Sequence, residues 1–465
     1  MARFTLKKFL PSGKATMSPL GVRCLQKHVD IAVPQTIFDV ALASDKMTGP
    51  NVPLQRLFRF TAGTARCRVG PELSKKYNMQ SDNTQLVVSV TNQATLEQAW
   101  FNAARTLKPQ TFSPGSSGAM ADPTEGGRNC DFCNWRQLTA EDEWGRLERP
   151  HAVSGSNLFK YGAPAHGLVL FKHHDPLTFS SHQLADFLGV AEDWFAAAAA
   201  AHPDAHHPFF IWNCGPRAGA SQFHGHGQLM LTHSPVPAQA RLAQQAALYG
   251  ASHPGGASYF RDLVLSHAAV GLARVVALGP RGEDRCWLLA HLAPQKDMEV
   301  LLLASRLSSP AFVAGLHAAL RALIDELGVQ TFNAGVINLP LDGDGGQGQG
   351  RQQEVGVEHV EADGVGAAVG QGFRAAAGSN GVLGRAGESC GFEFGEDLGL
   401  PAWVEDGDMA WRPMLARVVS RGKVTAPASD YGCLEVVGHA SIGHTDPFVL
   451  MRAIDKRLEA AGLRR

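Results

Sequence analysis

Apolar and polar positions along the chain predict a succession of strands and helices. Short runs of β-branched and apolar residues predict strands, and longer stretches with helical spacing predict helices. The predicted strands are 86–90, 167–171, one beginning near 209, 223–231, 287–292, 331–339, 415–420 and 433–438; the predicted helices are 96–107, 181–201, 298–327 and 447–461. Strands that alternate with long helices in two successive halves indicate an α+β or α/β protein, and the order of elements suggests an internal duplication.

Two segments do not follow this pattern. Residues 341–400 are rich in glycine and acidic side chains and lack hydrophobic periodicity, which is typical of a disordered insert. Residues 1–53 form an N-terminal extension whose beginning is basic. We therefore expect a first half at 54–245 and a second half at 246–340 plus 401–465, which the insert interrupts.

Composition narrows the classes of protein to consider. The 465 residues carry a net charge of −1, and 18% of them are charged, so no overall field favours nucleic acid or an anionic membrane. The longest apolar run is shorter than the roughly 20 residues that a membrane-spanning helix needs. Eight cysteines are too few for a disulfide framework in a chain of this length. We expect no nucleic-acid or membrane partner and a cytoplasmic location, with an organellar leader in the basic N-terminal segment as the alternative.

The most informative segment is His-Gly-His-Gly-Gln at residues 224–228. If 223–231 is a strand, its period of two places His224, His226 and Gln228 on one face. Neutral histidine can attack phosphorus and form a covalent intermediate. Glutamine cannot take up a proton at neutral pH, but its hydrogen bonds can orient a phosphate. The alternative is a structural strand with two partly exposed histidines.

A turn of small residues, Gly219, Ala220 and Ser221, comes just before the histidines. Successive backbone N–H groups in such a turn could bind an anion, with the Ser221 hydroxyl as a further donor. An anion held beside an imidazole is the layout that phosphoryl transfer requires. The turn and the histidines together therefore favour catalysis over the structural alternative.

Cys130 and Cys133 have the spacing of half a tetrahedral zinc site. A redox dithiol and two unrelated core thiols are the alternatives, although a redox pair normally opens a helix and this pair follows a glycine-rich loop. The sequence holds no second pair of this spacing, so histidines would have to complete a zinc site. The candidates are His224 and either His173 or His174. A closed site of two cysteines and two histidines would be structural.

At these residues the sequence resembles the transferase branch of the histidine-triad (HIT) superfamily, which contains the galactose-1-phosphate uridylyltransferases and the diadenosine-polyphosphate phosphorylases. That branch has glutamine where the triad hydrolases have a third histidine, and here the residue is Gln228. The segment 213–228 resembles the uridylyltransferase pattern, whereas Gly-Ala-Ser-Gln at 219–222 is more similar to the phosphorylases. The resemblance extends over residues 130–233.

The resemblance implies a HIT-like antiparallel sheet with flanking helices, built as two HIT-like halves of which 54–245 is catalytic. It also implies a role for each matching residue. His226 would be the nucleophile; Gly219, Ala220, Ser221 and Gln228 would hold the transferred phosphate; Asn157 and Asn213 would contact the nucleotide; and Cys130, Cys133, His174 and His224 would bind structural zinc. Asn157 alone is equally consistent with a turn residue.

One departure from the family affects the expected cofactors. The galactose-type enzymes have a second metal site, made by a glutamate shortly after the catalytic motif and by a His-x-His pair in the C-terminal half. Residues 235–245 contain no acidic side chain, and His291 has no second histidine at that spacing. We therefore expect structural zinc and no second metal.

The resemblance implies a nucleotidyltransferase with a covalent nucleotidyl-histidine intermediate. Such an enzyme would move UMP or AMP from a nucleoside-diphosphate sugar or a dinucleoside polyphosphate to a phosphate acceptor, foremost as a hexose-1-phosphate uridylyltransferase-like enzyme. The alternatives are a diadenosine-polyphosphate phosphorylase, a nucleotide hydrolase of the HIT type and a nucleotide-binding protein without catalysis. A homodimer is left open.

Overall fold

The computed structural model describes residues 34–44, 53–77, 79–107, 120–253, 257–340, 413–426 and 431–463. The insert expected at 341–400 and the basic N-terminal segment lie outside these ranges. No helix within them is both long enough and apolar enough to cross a membrane.

Fourteen strands run through the described residues. They are β1 (Phe58–Arg68), β2 (Asp82–Asn92), β3 (Gln98–Phe101), β4 (Glu148–Arg149), β5 (Ala152–Ser156), β6 (Pro164–Phe171), β7 (His207–Cys214), β8 (His226–Thr232), β9 (Ala273–Leu278), β10 (Asp284–Ala290), β11 (Val300–Ala304), β12 (Phe332–Ile337), β13 (Met414–Ser420) and β14 (Ala440–Gly443).

Ten α-helices accompany these strands in the described part of the chain. They are α1 (Ile37–Ala43), α2 (Pro53–Leu57), α3 (Pro71–Tyr77), α4 (Trp135–Leu138), α5 (Ser181–Ala201), α6 (Pro237–Ser252), α7 (Tyr259–Ala269), α8 (Pro310–Arg321), α9 (Cys433–Val436) and α10 (Pro447–Ala460). Short 3-10 turns cover Ala103–Leu107 and Pro216–Ala218, and a π-helical turn covers Ala322–Glu326.

Ten strands form one continuous sheet in the order β4-β5-β6-β8-β7-β12-β13-β11-β10-β9. Every neighbouring pair in it is antiparallel. We call the first five strands in chain order the β4–β8 unit and the last five the β9–β13 unit. The two units meet where β7 pairs with β12, with Asn213 directly opposite Asn333. The expected α+β class with antiparallel sheets is therefore confirmed.

A separate four-stranded sheet has the order β1-β2-β3-β14. It joins the N-terminal part of the described chain to its C-terminal part, because β14 pairs parallel with β3. The predicted first half at 54–245 thus includes three strands that do not join the ten-stranded sheet. The helix predicted at 96–107 is wrong: β3 and a 3-10 turn occupy that segment.

One face of the β4–β8 unit is covered by α5. The helix begins after Ser180, whose hydroxyl accepts the Gln183 N–H at 3.2 Å, while the Gln183 side chain accepts the Ser180 N–H at 2.7 Å. Aromatic rings fill the space between helix and sheet, with Phe171 stacked on Phe187 at 4.1 Å between centroids. Because this face is packed, residues of the opposite pleat face are the ones left for a site.

Glycines allow this close packing of helix on sheet. A Cβ atom at Gly167 would lie 2.4 Å from the Trp194 ring, so only glycine fits on β6 at that point. Trp194 is fully buried and its indole N–H donates to Asp142 at 2.7 Å. The helix and the central strands therefore form a rigid support beneath the residues of the opposite face.

Two predicted elements of the C-terminal half are also corrected. The helix predicted at 298–327 is β11 followed by α8, and the strand predicted at 433–438 is the short helix α9. The strand predicted at 223–231 begins only at His226, so His224 precedes it. Among the confirmed elements, α5 has the predicted bounds.

Candidate active site and metal cluster

The candidate nucleophile His226 stands at the first position of β8. This histidine is buried, and its Nδ1 lies 2.8 Å from the carbonyl oxygen of His224. A carbonyl oxygen only accepts, so Nδ1 carries the hydrogen and Nε2 keeps the lone pair. Burial lowers the pKa of His226, against the opposing effect of the bond to His224. The ring is therefore neutral, with Nε2 as its nucleophilic atom.

Gln228 lies two residues further along β8 and has its amide oriented by donors. Its Oε1 accepts the Tyr161 hydroxyl at 2.7 Å and lies 3.1 Å from Nε2 of His166. The Tyr161 N–H donates to Nδ1 of His166 at 3.3 Å, which assigns the ring hydrogen to Nε2. The carbonyl oxygen of Gln228 is held in this way, and its NH₂ group has no partner within the described part of the chain, so that group can donate to an anion.

His166 and Tyr161 are site residues that sequence reasoning missed. His166 is fully buried on β6, and burial lowers its pKa. The period of two of β6 puts His166 and Leu168 on one face, but the pairing of Leu168 with Gln228, which brings that face to the site, is visible only in the structure. Tyr161 lies in the β5–β6 connection, where no periodicity indicates its position.

The β5–β6 connection also places Asn157 beside Gln228 and carries a group of exposed apolar side chains. The Oδ1 atom of Asn157 accepts the Phe159 N–H at 2.9 Å, and its Nδ2 lies 3.4 Å from Oε1 of Gln228. Leu158, Phe159 and Tyr161 are 72%, 83% and 66% exposed. Exposed aromatic rings next to a polar site are suited to stack on a nucleobase.

The turn before β8 differs from the run of free amides that the sequence suggested. The Gly219 N–H donates to the Pro216 carbonyl at 3.1 Å, and the Ala220 N–H donates to the Gly215 carbonyl at 3.2 Å. The 3-10 turn therefore occupies both amides internally, with Gly219 in the left-handed region at φ 84°. Ser221 is exposed, and its hydroxyl and its backbone N–H, which have no partner among the described residues, are the donors that remain from this turn.

Four side chains converge on one point next to the segment that leads into β8. They are Cys130, Cys133, His174 and His224, and their ligand atoms all lie within 4.8 Å of one another. The Sγ atoms of the two cysteines are 3.6 and 3.5 Å from Nδ1 of His224, and Sγ of Cys133 is 3.3 Å from Nδ1 of His174. Zinc bonds of about 2.3 Å to sulfur and about 2.0 Å to nitrogen place tetrahedral ligands roughly 3.5 Å apart. The cluster therefore fits such a metal.

Both histidines of this cluster are held by their other ring nitrogen. Nε2 of His224 lies 2.7 Å from the Phe171 carbonyl oxygen, and Nε2 of His174 lies 3.1 Å from Oδ2 of Asp122. Hydrogen bonds from Thr124 hold the pKa of Asp122 at about 2, so that carboxylate is charged. Such partners fix the orientation of metal-binding imidazoles. His173 instead contacts Gln183 at 3.3 Å.

A second buried cluster lies in the β9–β13 unit and against the β2–β3 turn. His291, which the sequence shows as isolated, has Nδ1 3.3 Å from Nε2 of His267 and Nε2 3.4 Å from Oε2 of Glu97. Arg417 forms ion pairs with Glu97 and, at 2.6 Å, with Glu299. Burial is the largest single influence on the pKa of Glu97 and raises it, but Arg417, His291 and Thr95 together outweigh burial and lower that pKa to about 2.

Comparison with known proteins finds no matching family model and no matching curated protein. Among solved structures, an ADP-glucose phosphorylase from Arabidopsis thaliana with bound ADP-glucose has a TM-score of 0.48 and 13% identity over 78% of this chain and 95% of its own. A uridylyltransferase has a TM-score of 0.44 and 12% identity, over 80% and 98% of the two chains. A yeast Ap4A phosphorylase in complex with Ap4A has a TM-score of 0.26 and 15% identity, over 66% and 78%.

These structures belong to the same group of transferases and phosphorylases that the sequence motif resembles. A protein of the HIT family from Bacillus anthracis is also similar, over 23% of this chain. At these identities and TM-scores, the activity of the chain has to be argued from its own residues.

Proposed function

We propose that this protein is a nucleotidyltransferase in which His226 becomes nucleotidylated. The observation that carries the proposal is the 2.8 Å contact from Nδ1 of His226 to the His224 carbonyl, with Gln228 two residues further on the same strand. The contact of His226 with the His224 carbonyl supports a nucleophilic Nε2, and Gln228 supplies an amide donor for the phosphate that Nε2 attacks.

The reaction is a double displacement. Nε2 of His226 forms a bond to the α-phosphorus of the donor, and the bond from that phosphorus to the bridging oxygen breaks. The leaving phosphate ester takes the electron pair of that bond. A phosphate oxygen of the acceptor then attacks the same phosphorus, and the electron pair of the N–P bond returns to Nε2. The His224 carbonyl, which accepts from Nδ1, stabilises the positive charge on the ring during both steps.

The residues around Nε2 have distinct roles in this proposal. The NH₂ group of Gln228 and the hydroxyl of Ser221 would donate to the transferred phosphate, with Gly219 and Ala220 shaping the turn that presents Ser221. Asn213 and Asn157 would contact the nucleotide. The exposed ring of Phe159 would stack on the base, because a 2.9 Å bond from the backbone N–H of Phe159 to Oδ1 of Asn157 ties this part of the chain to a proposed nucleotide contact.

We propose zinc as the metal of the Cys130–Cys133–His174–His224 cluster. Four protein ligands would close its coordination shell, so the metal supplies a structural crosslink rather than an open position for substrate. It would tie the segment after residue 120 to the backbone that precedes β8. This is support for the orientation of His226, and no step of the reaction passes through the metal.

The substrate of this proposed reaction is a nucleoside-diphosphate sugar, with a hexose 1-phosphate as acceptor. The Gly-Ala-Ser-Gln sequence at 219–222 favours the second candidate, a phosphorylase that uses inorganic phosphate to cleave a diadenosine polyphosphate. Both candidates share the same first step on His226 and differ in the acceptor of the second step.

We also propose that the β4–β8 and β9–β13 units are two HIT-like halves. The strand orders support this, because reading outward from the contact of β7 with β12 gives β7-β8-β6-β5-β4 on one side and β12-β13-β11-β10-β9 on the other. The cytoplasmic location and the homodimer stay predictions from the sequence.

Discharge of the covalent intermediate tests the function. Protein labelled in turn with UDP-glucose, ADP-glucose or diadenosine tetraphosphate is separated from the donor and given glucose 1-phosphate, inorganic phosphate or buffer alone. Rapid discharge by the sugar phosphate, with release of a nucleoside-diphosphate sugar, is the expected result. Faster discharge by inorganic phosphate would establish the phosphorylase. Equally fast discharge in buffer alone would establish a hydrolase and contradict the transferase.

A further inference from the structure

Asn333 stands on β12, in the unit that does not contain the nucleophile, and its side chain links the two units. Its Nδ2 donates to Oδ1 of Asn213 at 2.7 Å and to the Ala218 carbonyl at 2.8 Å. Its Oδ1 accepts from Nη1 of Arg421 at 2.9 Å. Both donors of this amide and one of its acceptor positions are therefore used.

These contacts determine which way the amide of Asn213 faces. The Ala218 carbonyl can only accept and the Arg421 guanidinium can only donate, so the orientation of the Asn333 amide is fixed from both ends. Because Asn333 donates to Asn213, the atom that receives the bond has to be the carbonyl oxygen of Asn213. The NH₂ group of Asn213 is then the end of that side chain that faces away from Asn333.

Strand register places that NH₂ group near the nucleophile. Ile211 and Gln228 are the last paired residues of β7 and β8, and extending that register by two residues puts Asn213, on the same face of β7, at the level of His226. Asn213 is half-buried, and among the described residues its only hydrogen-bond partner is Asn333. The amide donors of Asn213 are thus available to a bound oxygen atom.

We propose that Asn333 is a positioning residue for the transfer reaction. It orients Asn213 so that its NH₂ group, like that of Gln228, donates to the oxygen atoms of the nucleotidyl phosphate at His226. Through the Ala218 carbonyl it also holds the turn that ends at Ser221. This inference rests on the proposed function and assigns to the β9–β13 unit a direct part in preparing the phosphate site.

A double-mutant cycle on the rate of covalent labelling tests the inference. The probe is whichever of UDP-glucose, ADP-glucose and diadenosine tetraphosphate labels the wild type, and the variants are Asn213→Ala, Asn333→Ala and the two combined. Each single substitution should slow labelling about tenfold, since hydrogen bonds to charged groups have this size. In the Asn213→Ala background, Asn333→Ala should slow labelling only about twofold to threefold, because the Asn213 amide that Asn333 orients is already absent.

Two further variants separate positioning from general destabilisation. Asn333→Asp keeps the shape and the acceptor for Arg421 but removes both donors, so it should slow labelling as much as Asn333→Ala does. Asn102→Ala removes a half-buried amide that donates to Gln85 at 2.8 Å in the other sheet, and it should label at the wild-type rate.

Two outcomes would overturn the inference. An equal effect of Asn333→Ala in both backgrounds would show that Asn333 does not act through Asn213, and wild-type labelling in Asn333→Asp would show that its donors are not needed. In either case a labelled wild type leaves the proposed function standing. A wild type that none of the three donors labels would overturn both.

Discussion

The carbonyl oxygen of His224 accepts a hydrogen bond from the ring of His226 at 2.8 Å, while the ring of His224 lies in the cysteine cluster. One residue thus contributes its side chain to the proposed metal cluster and its backbone to the proposed nucleophile. Any change that moves the His224 ring also moves the group that sets the tautomer of His226. In our proposal the metal cluster therefore helps to hold the active site in place.

Removing the metal should therefore destabilise the protein first. We expect Cys130→Ser to lose bound zinc, measured as moles of metal per mole of protein, and to lower the melting temperature by about 5 °C or more. Cys67→Ser is the matched control, because Cys67 is exposed and lies outside the cluster. Full folding of a metal-free wild type, with an unchanged melting temperature, would contradict the proposed zinc site.

The hydrogen bonds of Gln228 predict a large loss of labelling rate when Gln228 is replaced and a smaller loss when Tyr161 is replaced. Gln228→Ala removes an amide donor to the transferred phosphate and should slow adduct formation about 10²-fold. Tyr161→Phe removes one of the donors that hold Oε1 of Gln228. It should slow adduct formation only several-fold, because His166 still donates to that oxygen. The measurement is the single-turnover rate of covalent labelling. A Tyr161→Phe variant as slow as Gln228→Ala would show that the tyrosine hydroxyl acts on the substrate itself.

Phe159 is predicted to affect binding rather than chemistry. Phe159→Ala should raise KM for the nucleotide donor several-fold to tenfold with kcat unchanged, because stacking on the base is the same before and during the reaction. Leu158→Ala is the matched control, since Leu158 is similarly exposed and has no aromatic ring. Equal effects of the two substitutions on KM would indicate a general apolar contact instead of stacking.

Glu97 is predicted to make the free energy of unfolding depend on pH in the acidic range. Burial disfavours its charge, but Arg417 together with His291 and Thr95 more than compensates, and the pKa falls to about 2 in the folded protein. A carboxyl with a lowered folded-state pKa contributes stability above its unfolded pKa, near 4.3 for glutamate, and that contribution is lost as the pH falls towards 2.

Replacing Glu97 by Gln should therefore lower stability at pH 7 and flatten its dependence on pH between about 4.5 and 2. Thermal unfolding over this pH range measures the effect. Glu72→Gln, at an exposed position on α3, is the control and should follow the wild type. An unchanged acid limb in Glu97→Gln would contradict the assigned ion pair.

The local pattern around the nucleophile could be read from the sequence because its signals are short-range. The spacing of the pair Cys130 and Cys133 and the period of two after residue 224 indicated groups that the structure does bring together. The choice between His173 and His174 depended on the resemblance, and only His174 lies in the cluster.

The rest could not be predicted because the deciding contacts are long-range. β11 is buried on both faces, and such an apolar run lacks the alternation that separates a strand from a helix. Asn333 contacts Asn213 across 120 positions of sequence, and the helix predicted at 96–107 gave way to the pairing of β3 with β2 and β14. Pattern reasoning carries no information about such partners.

The central claim is that His226 becomes covalently nucleotidylated, and intact-mass measurement tests it most directly. Wild-type protein and His226→Asn are incubated separately with UDP-glucose, ADP-glucose and diadenosine tetraphosphate. We predict that the wild type gains the mass of one UMP or one AMP, with the modified peptide containing residue 226, and that His226→Asn gains none. The absence of an adduct from all three donors, or an adduct of the same mass on His226→Asn, would contradict the account.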